Sequence, residues 1–305
     1  MIKNLLLVVL FYSCAISKNI TPSEVYSQVM LISDELHHIL KYYDVDHDHE
    51  GIINRVEIDA KLKPRNVWQK SYEIMVKINI LREGNGFPII RPVNMTPVLN
   101  LNPDLVYGQT QRILTELKIF KLRVGIPEKA FIEKSFKGKT PLDVYNGLSH
   151  ISASLDELNK GGFTPSYVFG ENMRIYDDLT IILQHLNIED KTIPAKKDIY
   201  ATPKDTFNTG IKILTKIKQL QIKSGIDFVD FSGFKKDVVT PSEVFTITQL
   251  IISELQNIKA YIGLNNYITP AASKYHSKTP VDVDQIMHWN LRKLLLIDSL
   301  EKGRK

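Results

Sequence analysis

The residues best placed to do chemistry stand in one short acidic stretch, Asp46-His47-Asp48-His49-Glu50-Gly51-Ile52-Ile53-Asn54-Arg55-Val56-Glu57. Side-chain oxygens at alternate positions bring several hard donors to one point, which suits a hard divalent cation. The interleaved His47 and His49, with His37 and His38 upstream, offer imidazoles that suit zinc, copper or nickel instead. Other reactive signatures are missing: there is no Gly-x-Ser-x-Gly, His-Glu-x-x-His or Cys-x-x-Cys-His in the chain. Gly138-Lys139-Thr140 has the tail of a phosphate loop, but Glu133 stands where that loop needs glycine, so it reads as a linker ending in a helix cap.

The acidic stretch resembles the twelve-residue calcium loop of an EF-hand. That resemblance implies that Asp46, Asp48, Glu50 and Asn54 each offer a side-chain oxygen to one calcium ion, Ile52 its carbonyl, and Glu57 both carboxylate oxygens. Gly51 then falls where the loop turns sharply, and Ile53 where an apolar side chain packs inward. His47 and His49 fall on positions that point away from the ion, which disfavours the imidazole alternative. The resemblance covers residues 46–57 only and implies nothing about the remaining fold. No catalytic residue and no organic cofactor is assigned from the sequence.

What positions this loop is a repeat. Prolines recur at Pro22, Pro64, Pro103, Pro141, Pro165, Pro203, Pro241 and Pro280. Four positions on stand Tyr26, Trp68, Tyr107, Tyr145, Phe169, Phe207, Phe245 and Asp284, and ten positions on stand Ile32, Ile74, Ile113, Ile151, Ile175, Ile213, Ile251 and Asn290. Thr240-Pro241-Ser242-Glu243 shows the grammar of each unit: a capping threonine, proline at the first helical position and an acid completing a capping box. Downstream, Val244, Thr248, Ile251, Leu255 and Ile258 alternate four and three apart, which is a helical seam. Gly125-Ile126, Gly225-Ile226 and Gly263-Leu264 read as left-handed helix ends.

The expected fold is all-α: eight principal helices from an internal repeat of about 38 residues, stacked as two four-helix halves. The short Asn159-Lys160-Gly161-Gly162-Phe163 connection predicts an antiparallel hairpin between the fourth and fifth helices. Expected boundaries are 18–161, with the acidic loop at 44–57, and 162–305. In a stacked array the last unit faces water, so Asn290 and Asp284 are expected as an end cap. The other linkers are long enough either to hold a short helix or to run back along a bundle.

Residues 1–17 have the charged start and short apolar run of a secretory signal; an alternative ends at residue 13, with Cys14 lipidated as in a bacterial lipoprotein. Cys14 is the only cysteine, so the folded part has no internal disulfide and depends on packing. A formal net charge of +5 is spread over many segments without an aromatic-studded basic stripe, which argues against nucleic acid. The sequence is therefore read as an exported, non-catalytic helical-repeat protein of the bacterial cell envelope, periplasmic or lipid-anchored, that binds a ligand or partner protein. The alternative is an enzyme with its site between the two halves.

Overall fold

The computed structural model describes residues 19–45 and 60–301. Among these residues there are eight long helices and no strand: α1 (Pro22–Tyr42), α2 (Pro64–Gly84), α3 (Pro103–Val124), α4 (Pro141–Leu158), α5 (Pro165–His185), α6 (Pro203–Lys223), α7 (Pro241–Tyr261) and α8 (Pro280–Leu295). Each begins on a repeat proline, where the missing N–H costs nothing. Thr21, Thr140, Thr202, Thr240 and Thr279 all form capping boxes with the acid three residues on. At the far ends, Gly125, Gly225 and Gly263 take left-handed conformations. The following N–H closes back onto the helix, from Ile126 to Lys121 O at 3.0 Å and from Leu264 to Lys259 O at 2.8 Å.

The helices close into two rings. In the first, α1 and α2 each pack against both α3 and α4; in the second, α5 and α6 each pack against both α7 and α8. Helix direction follows from the contacts. Between α2 and α4, Glu73 meets Ser152 and Lys77 meets Asp156, both 79 residues apart, and between α5 and α7, Glu171 meets Gln249 and Asp178 meets Gln256, both 78 apart. A constant offset means parallel helices in register. Pro22, Pro64, Pro103 and Pro141 accordingly crowd one end of the first bundle with Val25, Val67, Val106 and Val144. The same end of the second bundle gathers Pro165, Pro203, Pro241 and Pro280.

Registry turns the repeat columns into layers. Ile32, Ile74, Ile113 and Ile151 form one buried layer, and Leu36, Ile78, Leu117 and Leu155 the next. Burying each such side chain contributes about 1.5–3 kcal/mol before conformational entropy is charged against it. Parallel helices also require the chain to return after each one. Among the described residues the linkers are coil, and some 16 extended residues span roughly 50 Å, ample for a helix of about 30 Å. They are pinned by aromatic pairs: Phe136 packs edge-on against Tyr26 at 4.9 Å, Tyr275 against Phe169 at 4.9 Å, and Phe234 against Phe207 at 5.2 Å.

Parallel alignment brings four positive helix ends together, which is repulsive. The acids of the capping boxes offset it on five helices, and Asp104 does so on α3. The two bundles then pack antiparallel through α2 and α7. Arg65 reaches Glu254, Asn66 reaches Ser253 and Thr246 reaches Glu73, separations that fall from 189 to 187 to 173 residues along α2. The α2 start has no acid of its own and is neutralised from the other bundle by Asp227 and Glu254.

Two expectations are corrected. Asn290 and Asp284 are not a water-facing cap: they are 0 % and 5 % exposed. Because each bundle closes on itself, α8 lies between α5 and α6, and no unit is terminal. Asn290 instead donates to Asn172 O at 2.9 Å inside the second bundle. The short connection does reverse the chain, but α4 and α5 do not pack on each other. The α7 start wedges into the turn, where Ser242 Oγ accepts from Phe163 N at 3.1 Å. A Cβ on Gly162 would lie 2.2 Å from that same oxygen, so the turn needs glycine there.

Candidate functional site

Of the residues that the sequence singles out, the acidic loop (Asp46, Asp48, Glu50, Ile52, Asn54, Glu57) and Cys14 lie outside the described residues. Among the described residues, no group of three or more His, Cys, Asp or Glu side chains is arranged to hold a metal ion. No described helix is long and apolar enough to cross a membrane. Two concave features lie instead on the seam between the bundles, where the sequence offers capping and turn residues but no chemical motif.

The first is a cavity of about 460 Å³ bounded by α2, α4 and the start of α7. Its floor is charged because α2 and α4 run in register and present matched polar positions: Lys70 beside Ser149, Glu73 beside Ser152, Lys77 beside Asp156. Glu73 is 1 % exposed and holds Lys70 Nζ at 2.6 Å, Ser152 Oγ at 2.6 Å and Thr246 Oγ1 at 3.2 Å. Burial pushes its carboxyl pKa up, but the Lys70 and Lys77 ammoniums outweigh that and hold it below the ordinary value. Lys77 donates to Asp156 at 2.7 Å and to Ser152 O at 3.0 Å. For Lys77 burial wins, and its pKa falls. Burial likewise raises Asp156, against the pull of Lys77. Both carboxylates are thus committed on both oxygens, Asp156 also accepting from Ser242 Oγ at 3.3 Å.

The second is a cleft of about 560 Å³ on the opposite side of α2, closed by the start of α5 and the linkers 85–102 and 262–279. Three tyrosines, Tyr72, Tyr167 and Tyr275, share its wall with Val76, Ile90, Pro92 and Ala272. This is the usual make-up of a small-molecule site, apolar and aromatic with a few placed polar groups. Tyr72 is fixed through its hydroxyl to Glu171 at 3.3 Å, and the Arg174 guanidinium stacks 4.6 Å from its ring centre. Burial raises the Tyr72 phenol well above its usual range, so it stays protonated. Glu171 is held by Arg174 at 2.6 Å and by Gln249 at 3.0 Å, and at the mouth Glu83 pairs with Lys274 at 2.7 Å. Each carboxylate here is paired within the protein, and His276 also stands in the lining.

The start of α5 helps to shape this cleft and differs from its counterparts. Thr164 makes no side-chain cap and the first turn carries no acid. Where α5 would need a glutamate or aspartate, the chain has Tyr167, whose ring lines the cleft. The sequence contained that signal as a missing acid, which has no meaning until the cleft is seen.

No protein-family model matches the chain, and no curated protein or solved structure is similar to it, so its chemistry rests on the geometry of the seam.

Proposed function

We propose that this is an exported, non-catalytic binding protein of the bacterial cell envelope, which takes a small ligand with a flat or apolar body into the cleft lined by Tyr72, Tyr167 and Tyr275. The observation that carries this reading is the cleft itself: about 560 Å³, half-open, aromatic-walled, with each of its acids already paired. An enzyme at the seam would need a base or nucleophile whose partner is the substrate. The buried carboxylates of both cavities answer to lysines, arginines and hydroxyls of the protein instead. Export and the alternative of a lipid on Cys14 rest on the N-terminal residues alone.

The test is native mass spectrometry of protein purified from its source, beside the Tyr275→Ala variant. Tyr275 is half-buried on a linker, where it meets Phe169 edge-on and Lys278 Nζ lies 5.9 Å from its ring centre, so its loss should loosen that linker and leave the helices in place. A small molecule that accompanies the protein and is reduced about tenfold by the substitution is the expected result, since losing an aromatic wall costs roughly 1 kcal/mol beyond the buried area. A ligand retained undiminished in Tyr275→Ala would place binding elsewhere.

A calcium ion in the loop 46–57 remains part of the proposal, supported by the spacing of Asp46, Asp48, Glu50, Asn54 and Glu57. Titrating metal-free protein with calcium should raise its melting temperature, and Glu57→Gln should abolish the rise. An identical rise in Glu57→Gln, or none in either protein, would remove the ion.

A further inference from the structure

Arginine side chains in this protein almost all have partners. Among the described residues, Arg65 and Arg174 are buried against glutamates, Arg82 pairs with Glu116 at 3.0 Å, Arg112 and Arg292 donate to backbone carbonyls, and Arg123 lies over the Phe87 ring. Arg91 is the exception. Its side chain is exposed, has no hydrogen bond, ion pair or ring contact among the described residues, and stands in the lining of the tyrosine cleft.

The segment that carries Arg91 is held firmly, which makes the idle side chain informative. Asn79 clamps Ile90 on both sides, accepting from its N–H at 2.8 Å and donating to its carbonyl at 2.6 Å. Arg82 Nε donates to Pro88 O at 2.8 Å, and Arg112 Nη2 to Arg91 O at 2.8 Å. All these anchors act on backbone atoms. They fix where the Arg91 side chain starts and leave its five N–H donors to water or to a ligand.

The charges around it set the sign of that ligand. Of the acids in the lining, Glu83 is taken by Lys274 at 2.7 Å and Glu171 by Arg174 at 2.6 Å, so the charge left over is the Arg91 guanidinium, which His276 joins only where protonated. A cation caged by the tyrosines is the obvious rival. Two of those rings, however, already face cations of the protein: Arg174 lies 4.6 Å from the Tyr72 ring centre and Lys278 Nζ 5.9 Å from that of Tyr275. The α5 start, without cap or acid, adds positive potential to the same wall. A guanidinium fork matches a carboxylate at two points, and one unpaired charge balances a monoanion rather than a phosphate dianion.

We propose that the ligand of the tyrosine cleft is a monocarboxylate, its flat or apolar body against Tyr72, Tyr167 and Tyr275 and its carboxylate gripped at the mouth by the Arg91 guanidinium. This rests on the reading of the cleft as a small-molecule site and adds the ligand's charge. The cleft, at about 560 Å³, is of the size such sites have, roughly 300–1,000 Å³.

The experiment is a ligand-observed NMR titration of the purified full chain with octanoate and cinnamate, one flexible body and one flat, each beside its neutral amide and its amine. Wild-type protein, Arg91→Gln and Tyr275→Ala are compared. At least one acid should bind about fivefold more tightly than its amide, the weight of one forked ion pair at a half-open mouth, with the amine weakest, and the preference should shrink as salt is raised. Arg91→Gln removes an exposed side chain and none of the backbone anchors, so it should melt as the wild type does, bind the amide unchanged and lose the preference for the acid. Tyr275→Ala should weaken acid and amide alike. Equal affinity of acid and amide in the wild type, or a preference that survives Arg91→Gln, overturns the carboxylate contact, while weakening of both by Tyr275→Ala would still uphold the cleft. An acid preference that Tyr275→Ala leaves at full affinity puts the Arg91 contact outside the cleft and overturns the shared ligand. No binding by any probe overturns the carboxylate assignment, and the molecule that co-purifies then decides the cleft by itself.

Discussion

Replacing Lys259 by methionine should destabilise the protein by about 3–5 kcal/mol, because it strands a buried carboxylate. Lys259 and Asp178 are both fully buried and bonded at 2.7 Å, and the ammonium spends its other donors on Thr269 Oγ1 at 2.8 Å and Tyr267 O at 3.1 Å. Asp178 in turn accepts from Thr269 and from Gln256. Burial already raises the Asp178 pKa and lowers that of Lys259, each against the pull of its partner. Without the lysine, the carboxyl rises further. A folded-state pKa above the unfolded value of 3.8 means that the folded chain holds the proton more tightly. The Lys259→Met variant should therefore gain stability as pH falls from neutrality toward that value, more steeply than the wild-type protein, whose lysine holds the Asp178 shift down. Adding Asp178→Leu should restore most of the loss, since a well-packed apolar pair often matches a buried ion pair. Urea titrations of the single and double variants at neutral and acidic pH test both statements.

Arg65→Met should cost a similar amount, about 3–5 kcal/mol, and should act on the seam rather than within a bundle. Arg65 forks onto Glu254 at 2.9 and 3.0 Å and reaches Asp227 at 2.7 Å, all in the other bundle. Glu254, itself 1 % exposed, would keep only the amide donors of Asn66 at 2.8 Å and Gln221 at 2.9 Å. Each bundle has its own layered core, so loss of this tie should split unfolding into two transitions. Calorimetry would show two peaks in the variant where the intact chain shows one. A single undiminished peak would mean that the seam contributes little.

Both residues explain why the fold was more legible than the site. Caps and seams are local: Thr240-Pro241-Ser242-Glu243 and the Val244-to-Ile258 spacing depend on neighbours within a turn or two, and the helices start where those residues say. Helix direction is different. A three-four seam reads alike in a parallel and an antiparallel bundle, so the parallel arrangement had no signature beyond linkers long enough to return. Arg65 and Glu254 stand 189 residues apart. In sequence each is an ordinary charge on a helix that water could cover, and only the antiparallel meeting of α2 with α7 makes them partners. Asn290 was misread for a related reason: the last unit in the chain is an inner member of a ring. Tyr167 and Tyr275 carried no spacing signal either, since one belongs to α5 and the other to a linker folded back over it.

The arrangement behind every one of these statements is two parallel bundles laid head to tail along α2 and α7. Carbodiimide cross-linking followed by peptide mass spectrometry tests it most directly, because it joins only amines and carboxylates already in contact. Three exposed or half-exposed pairs should react: Lys63 with Asp227 at 2.9 Å at one end of the seam, Lys274 with Glu83 at 2.7 Å at the other, and Lys197 with Asp282 at 2.6 Å at the proline end of the second bundle. Recovery of all three is the predicted result. Links that instead join Lys63 to residues near Glu243, bringing the starts of α2 and α7 together, would contradict it.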